Sequence, residues 1–111
     1  MAEYKRYITQ IQENGNVMIS DDVVAAITQH ALSEVEGAAF QGDVKKHWNK
    51  SMKILIADDN SVAISVNITV TYGHSVVDVA NNVQNTLTAA VENMTGVKVS
   101  EVNVNICGIV R

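Results

Sequence analysis

The sequence predicts an α+β fold with the element order β-α-β-β-α-β, in which a small mixed sheet carries two helices on one face. Residues 62–71, VAISVNITVT, alternate strictly between apolar and polar side chains, which is typical of a half-buried strand. Residues 76–94 instead place apolar side chains every three or four positions, the spacing of a helix on a core. A chain of 111 residues with 47% hydrophobic content fits one such domain.

Two further strands complete the predicted sheet. Residues 52–56 have the same two-residue period, and the turn-forming residues 58–61 separate them from residues 62–71, so the two segments predict a β-hairpin. Near the C-terminus, an alternating run of apolar and other residues predicts a third strand. Its inward residues would be Val102, Val104 and Ile106. Val97 and Val99 have the opposite phase, which indicates either a bulge or a strand start near Ser100.

The two helices are predicted from apolar stripes and end signals. The first starts at Ser20, carries Asp21 and Asp22 in its first turn, and is closed by Gly37. The second starts after Ser75 and ends at Gly96, a candidate left-handed cap. The expected inward residues are Val24, Ile27, Ala31 and Val35 in the first helix, and Val76, Ala80, Val83, Leu87, Ala90 or Val91, and Met94 in the second.

The N-terminal part is the least patterned. Val17 and Ile19 indicate a short strand before the first helix. Residues 1–14 are predicted to be an N-terminal arm, either extended or flexible, and residues 15–111 a single domain.

The composition indicates the cellular compartment of the protein. No apolar stretch approaches the roughly 20 residues that cross a bilayer, and the first residues lead into no signal segment, so we expect a cytoplasmic protein. The single cysteine, Cys107, suits a reducing compartment and is expected to be a small buried residue on a strand.

The stretch Tyr72-Gly73-His74-Ser75 could hold chemistry at the start of the second helix. Exposed amides there could bind an anion beside His74, or His74 could activate Ser75. The favoured alternative is a helix cap, because Ser75 and Asp78 have the capping-box spacing. The other histidines lack the spacing of metal ligands, and no pair of carboxylates stands out. The sequence therefore predicts no enzyme, no catalytic residue, no metal and no cofactor.

A basic segment interrupts an otherwise acidic chain. The net charge is −4, but residues 41–53 alone have a local charge of +3, from four lysines against Asp43. Lysines beside an exposed indole could bind nucleic acid or anionic lipid. A solvated connection with Trp48 folded onto the core is the favoured alternative. The candidate contact residues are Lys45, Lys46, Trp48, Lys50 and Lys53, together with His74.

The face of the predicted sheet that points away from the helices is polar but uncharged. It lacks the aromatic residues with which RNA-recognition domains of the same element order stack bases, which argues against RNA binding. Such a neutral surface suits contacts with a protein partner or with a second copy, although plain hydration is the default. The candidate interaction residues are Ser65, Asn67, Thr69, Asn103 and Asn105.

Several short motifs together resemble the alkaline-shock-protein family of small stress proteins, found mainly in Gram-positive bacteria. The most specific are Tyr72-Gly73 before the second helix, Val83-Gln84 within it, Met94-Thr95-Gly96 at its end and Val102-Asn103-Val104 in the last strand. The resemblance covers most of the chain after residue 14. The middle of the chain differs from the family pattern. Ser51-Met52 stands where a glycine followed by a valine is expected, and residues 41–50 match no recognisable part of that pattern.

The resemblance implies a non-enzymatic cytoplasmic protein of cell-envelope homeostasis or stress response. It further implies protein contacts, self-assembly, and a partner that is anchored in the membrane. It supplies no catalytic residue. The departure in the middle puts any shared partner-binding surface there in doubt.

Overall fold

The computed structural model describes residues 6–40 and 51–111. Within them the chain forms an α+β fold, as predicted, with strands in two sheets and two helices. The elements in chain order are β1 (Tyr7–Gln12), β2 (Gly15–Ser20), α1 (Asp21–Ser33), β3 (Ala38–Phe40), β4 (Met52–Ile56), β5 (Val62–Thr71), α2 (Val76–Thr95) and β6 (Val99–Val110).

Strand β5 is the centre of the main sheet. On one side it pairs antiparallel with β4, with Ile54 opposite Ile64, which confirms the predicted hairpin. The short strand β3 pairs antiparallel with the far end of the same side. On its other side β5 pairs parallel with β6, which it reaches through α2. The sheet is therefore mixed, as expected from a hairpin followed by a helical crossover.

Strands β1 and β2 form a separate antiparallel hairpin. Ile8 inserts into the core and is fully buried. The Asn60 side chain in the β4–β5 turn donates to Thr9 O at 3.0 Å, and Gln10 Nε2 donates to Thr95 O at 2.7 Å. Residues 7–12 of the segment predicted as an arm thus lie in a strand that these contacts attach to the main domain.

The helices and β5 share one apolar core. The inward side of β5, from Val62 to Val70, is almost fully buried. It faces the buried sides of both helices, as the periodicity of the sequence predicts. In α2 these residues are Val79, Val83, Leu87, Val91 and Thr95. In α1 they are Val24, Ala25, Ile27, Thr28, Ala31 and Leu32.

One predicted core residue, Met94, is exposed. Its exposure is 72%, while its neighbour Thr95 is buried. The Thr95 hydroxyl donates to Val91 O at 2.6 Å, so the inward position contains a threonine whose polar group is satisfied. Met94 consequently lies at the edge of the stripe, beside α1.

The helix ends differ from one another. Gly96 ends α2 in the left-handed conformation, with its amide donating to Glu92 O at 2.9 Å, as predicted. By contrast, α1 ends at Ser33, before the predicted Gly37. The amides of Glu34 and Val35 donate to carbonyls only three residues back, so a tightened last turn ends this helix.

Strand β6 contains two irregularities in its pairing with β5. The first lies between Val99 and Glu101, so of the two alternatives predicted near Ser100, a bulge or a strand start, the bulge is present. The second lies between Ile106 and Gly108. Cys107 falls in this second irregularity and is exposed, so the expectation of a buried cysteine was wrong. The physical reason is that alternation places Cys107 on the side of the sheet without helices, where no described element covers it.

Candidate functional site

The turn before α2 caps a helix. Gly73 has a φ of 102°, which a glycine adopts without strain and which redirects the chain from β5. The Ser75 hydroxyl then accepts from the Asp78 amide at 3.4 Å, which confirms the predicted cap. That oxygen is turned towards its own helix.

His74 is exposed, and its ring lies against Gly37. A Cβ atom placed on Gly37 would lie 2.9 Å from Cγ of His74, closer than a methyl group tolerates. The same two turns are joined by the Thr71 amide, which donates to Gly37 O at 2.8 Å. The His74 ring thus packs between the end of α1 and the start of α2, and because it is also exposed, a contact with a partner or an anion stays a prediction.

An apolar groove runs along the solvent side of the two helices. It has a volume of about 540 Å³. Val23 at the start of α1 and Met94 at the end of α2 both line it, so the helices run antiparallel beside it. Ala26 and Ala90, whose side chains are small, also line the groove, and we call these two alanines its floor. We call this surface, defined by Val23, Ala26, Ala90 and Met94, the helix groove.

The charged groups beside the helix groove are acidic. Asp22 and Glu34 line it at the two ends of α1. His30 Nε2 lies 3.3 Å from Glu34 Oε1, and both side chains are largely exposed. Neither α1 nor α2 contains a lysine or arginine. An approaching molecule therefore meets apolar side chains and negative charge.

The predicted interaction residues lie together on the open face, which is the side of the main sheet opposite the helices. Ser65 lies beside Asn103, and Asn67 lies beside Asn105. Asn105 Nδ2 donates to Asn67 Oδ1 at 3.0 Å, so amides on adjacent strands are linked. Thr69 follows on the same side of β5. The structure thus brings all five residues into one surface.

The open face ends at the outer edge of β6. Backbone groups of alternate residues point to opposite edges of a strand. At the end of β5 the Thr71 amide donates to Gly37 O, just before β3, and the amide of the next residue, Tyr72, donates to Val110 O on β6 at 2.6 Å. Ile64, Val66 and Ile68 lie an even number of residues before Tyr72, so their backbone groups also point to β6. In a parallel pair the residues in register with them point away from β5, and these are Val102, Val104 and Ile106. Gln84 Nε2 donates to Val102 O at 3.2 Å, but no other described strand pairs with this edge.

Most of the basic segment lies outside the described residues. This applies to Lys45, Lys46, Trp48 and Lys50. Lys53 is described; it is exposed on β4 and lies opposite Ser65, at the border of the open face.

The described part of the chain offers no metal-binding cluster and no membrane-spanning helix. Residues 6–40 and 51–111 contain no group of three metal-ligating side chains that could hold an ion. In the same ranges no helix has the length and apolar character needed to cross a membrane.

Comparison with known proteins identifies the family. Residues 9–111 match the model of the alkaline shock protein 23 family, which is described by a cell envelope-related function. The chain belongs to this family. The matched range of this alkaline-shock-family protein includes both helices and the whole main sheet, so the family assignment applies to the fold described above.

Two bacterial relatives are similar to this family member. Protein YqhY of Bacillus subtilis, named as uncharacterized, is 34% identical over 105 residues, which cover 86% of this chain and 77% of the relative. Protein Spy1535 of Streptococcus pyogenes serotype M6, also named as uncharacterized, is 31% identical over 103 residues, covering 86% of this chain and 80% of the relative. No solved structure gives a significant match.

Sequence reasoning found the open face but missed the helix groove. The apolar stripe predicts Met94 in the core, and it gives no role to Val23 or Ala26. Two signals could have found the groove. One is that apolar residues in α1 cover more than a single face, since Val23 and Ala26 accompany the inward stripe. The other is the lack of lysine and arginine from residue 54 to residue 97.

Proposed function

We propose that this protein is a non-catalytic cytoplasmic component of cell-envelope homeostasis or stress response that acts through protein contacts and self-assembly. The supporting observation is the outer edge of β6. This strand has twelve residues, and it pairs with another described strand on only one side.

An unpaired edge of this length favours pairing with another strand. Soluble proteins usually protect such edges with lysine, proline or a covering loop. Residues 102–110 contain no charged residue and no proline. The side chain of Gln84 occupies a single carbonyl of the edge. A strand from a second copy, or from a partner protein, would satisfy the remaining amides and carbonyls.

The open face beside this edge supports the same function. Its serine, threonine and asparagine side chains can exchange hydrogen bonds with water for hydrogen bonds with a partner, and no charge has to be desolvated between Val102 and Val110. The Ser75 oxygen is used in the helix cap, which weighs against a nucleophilic role for it. A membrane-anchored protein as partner would bring the chain to the envelope.

The oligomeric mass in solution tests self-assembly. We expect sedimentation velocity to show dimers or larger species, and Asn103→Lys with Asn105→Lys to shift them towards monomer, because paired edges would bring the lysines together. Asn82→Lys with Asn85→Lys adds the same charge at two exposed positions of α2, and it is the matched control that should retain the assembly. A wild-type chain that stays monomeric at all concentrations would contradict self-assembly.

Co-purification tests the protein contacts. Chemical crosslinking in the native cells, followed by purification, should recover an envelope or membrane protein together with this chain. Recovery of the free monomer alone under envelope stress would count against the proposed function.

The alternative function is a binding module for nucleic acid or anionic lipid through residues 45–53. Affinity for either would fall steeply with salt. Replacing Lys45, Lys46, Lys50 and Lys53 with glutamine should then abolish binding. Binding unchanged by these replacements would eliminate this alternative.

A further inference from the structure

We infer that the helix groove binds a cationic amphipathic helix from a partner protein. This inference deepens the proposed function, because it gives the chemistry of one partner. It uses a surface separate from the β6 edge, so the two can fail independently.

The shape of the helix groove fits a helix. It follows α1 from Asp22 to Glu34, a distance of about 18 Å at 1.5 Å per residue. About three turns of a partner helix would span that length. Ala26 and Ala90 in the floor allow a close approach between backbones. Val23 and Met94 project beside the floor with exposures of 46% and 72%.

Apolar contacts would provide most of the affinity. An amphipathic helix presents side chains at positions i, i+3 or i+4, and i+7, which match a groove between two parallel ridges. The unbranched and flexible Met94 side chain can adapt to different partner side chains. Burying Val23 and Met94 would remove from water two of the larger exposed apolar side chains of the helical layer.

The charges select a cationic partner. Asp22 and Glu34 line the two ends of the groove, and α1 and α2 contain neither lysine nor arginine. Lysines or arginines flanking the apolar stripe of a partner helix would lie near these carboxylates. An acidic helix would be repelled.

The same charges disfavour two other occupants. Two copies docked through their helix grooves would bring Asp22 and Glu34 of one copy near those of the other. A membrane rich in anionic lipid would repel the same carboxylates. Both repulsions favour a separate protein segment with positive charge as the occupant.

Selection of peptides against the full chain tests the inference. The probe is a display library of fourteen-residue helices with a leucine, isoleucine or alanine stripe at i, i+4, i+7 and i+11, and with flanking positions that vary among lysine, glutamate and glutamine. We expect enrichment of peptides that combine the stripe with flanking lysines. Fluorescence anisotropy of one such peptide then gives its affinity.

Ala26 and Asn85, which are both exposed, supply a charge-matched pair of variants. Ala26→Arg fills the floor of the groove and should weaken the selected peptide by about tenfold or more. Asn85→Arg adds the same charge on the side of α2 away from the groove and should leave the affinity within about twofold. Both variants should fold, because both positions are exposed, and circular dichroism checks this.

Reversal of one charge tests the electrostatic contribution to peptide binding. Glu34→Lys should weaken the lysine-flanked peptide several-fold at low salt and improve binding of the glutamate-flanked version of the same stripe. This exchange of preference distinguishes charge recognition from simple apolar adhesion.

Four results would overturn the inference. One is the absence of enriched helical peptides. Another is equal loss of affinity in Ala26→Arg and Asn85→Arg. A preference of the wild-type groove for glutamate flanks is the third. The last is a dimer of the chain that Ala26→Arg dissociates, because a second copy would then occupy the groove. The first three results do not bear on the β6-edge test, whereas the fourth would place self-assembly in the helix groove instead of at the β6 edge.

Discussion

The two exposed sides of the domain present opposite recognition chemistry. The helical side combines an apolar groove with acidic ends, and its helices contain no lysine or arginine. The open face presents asparagine, serine and threonine, and it ends at the outer edge of β6, with which no other described strand pairs. Under the two proposals above, the first surface would select a partner by shape and charge, whereas the second would offer backbone hydrogen bonds to a compatible strand. The two partners would then bind to separate surfaces without competition.

The largest expected difference in stability loss lies between substitutions at two adjacent residues of β5. Ile64 is fully buried under the helices, while Ser65 is on the open face. We expect Ile64→Ala to lower the free energy of unfolding by about 2–4 kcal/mol. Ser65→Ala should change it by less than about 0.5 kcal/mol. Urea denaturation measures both. Similar losses in the two variants would indicate that the open face is covered in solution.

A second contrast concerns the junction between the two layers. Gly37 and Gly73 both have positive φ, but only Gly37 has a neighbour, His74, where a Cβ would lie. We expect Gly73→Ala to cost about 1 kcal/mol of unfolding free energy and Gly37→Ala about 1 kcal/mol more.

The double variant separates strain from the clash with His74. Gly37→Ala combined with His74→Ala should recover the extra loss, as measured by a double-mutant cycle. If the two glycine variants lose equal stability and His74→Ala has no effect on Gly37→Ala, the packing role of His74 is wrong.

Replacing the serine at each helix start should produce a smaller difference in the free energy of unfolding. The Ser75 hydroxyl accepts from Asp78 N, whereas Ser20 makes no side-chain capping bond at the start of α1. Ser75→Ala should therefore lower the free energy of unfolding by about 0.5–1 kcal/mol, and Ser20→Ala by less. Thermal unfolding of both variants measures this order. The reverse order would show that the cap of α1 forms in solution.

The smallest effect on stability is expected at Cys107. This side chain is exposed beside the open face, so Cys107→Ser should change stability by less than about 0.5 kcal/mol. In the folded wild type, Ellman's reagent should modify the single thiol as fast as it modifies an unfolded peptide. Strong protection of the thiol in dilute protein would mean that another molecule covers the open face.

The sequence by itself determined the local structure of most elements. Strict alternation in residues 62–71 and stripes in the two helices fix which sides are apolar, because strands and helices have different periods. The opposite phases of Val99 and Val102 indicated a bulge or a strand start near Ser100, and the pairing of β6 with β5 has the bulge. Gly96 and Ser75 marked the ends of α2, since caps depend on a few neighbouring residues. The open face followed from the same alternation along β5 and β6.

Tertiary structure decided what depends on distant neighbours. Whether Met94 or Thr95 turned inward depended on the position of α1 and on a hydrogen bond that satisfied Thr95. The burial of Ile8 required the hairpin of β1 and β2 to be held by Asn60 and Gln10, which are remote in sequence from the residues that they contact. Cys107 became exposed because its side of the sheet received no covering helix among the described elements. The helix groove arose in the same way, because a groove between two helices exists only once both are packed on one sheet.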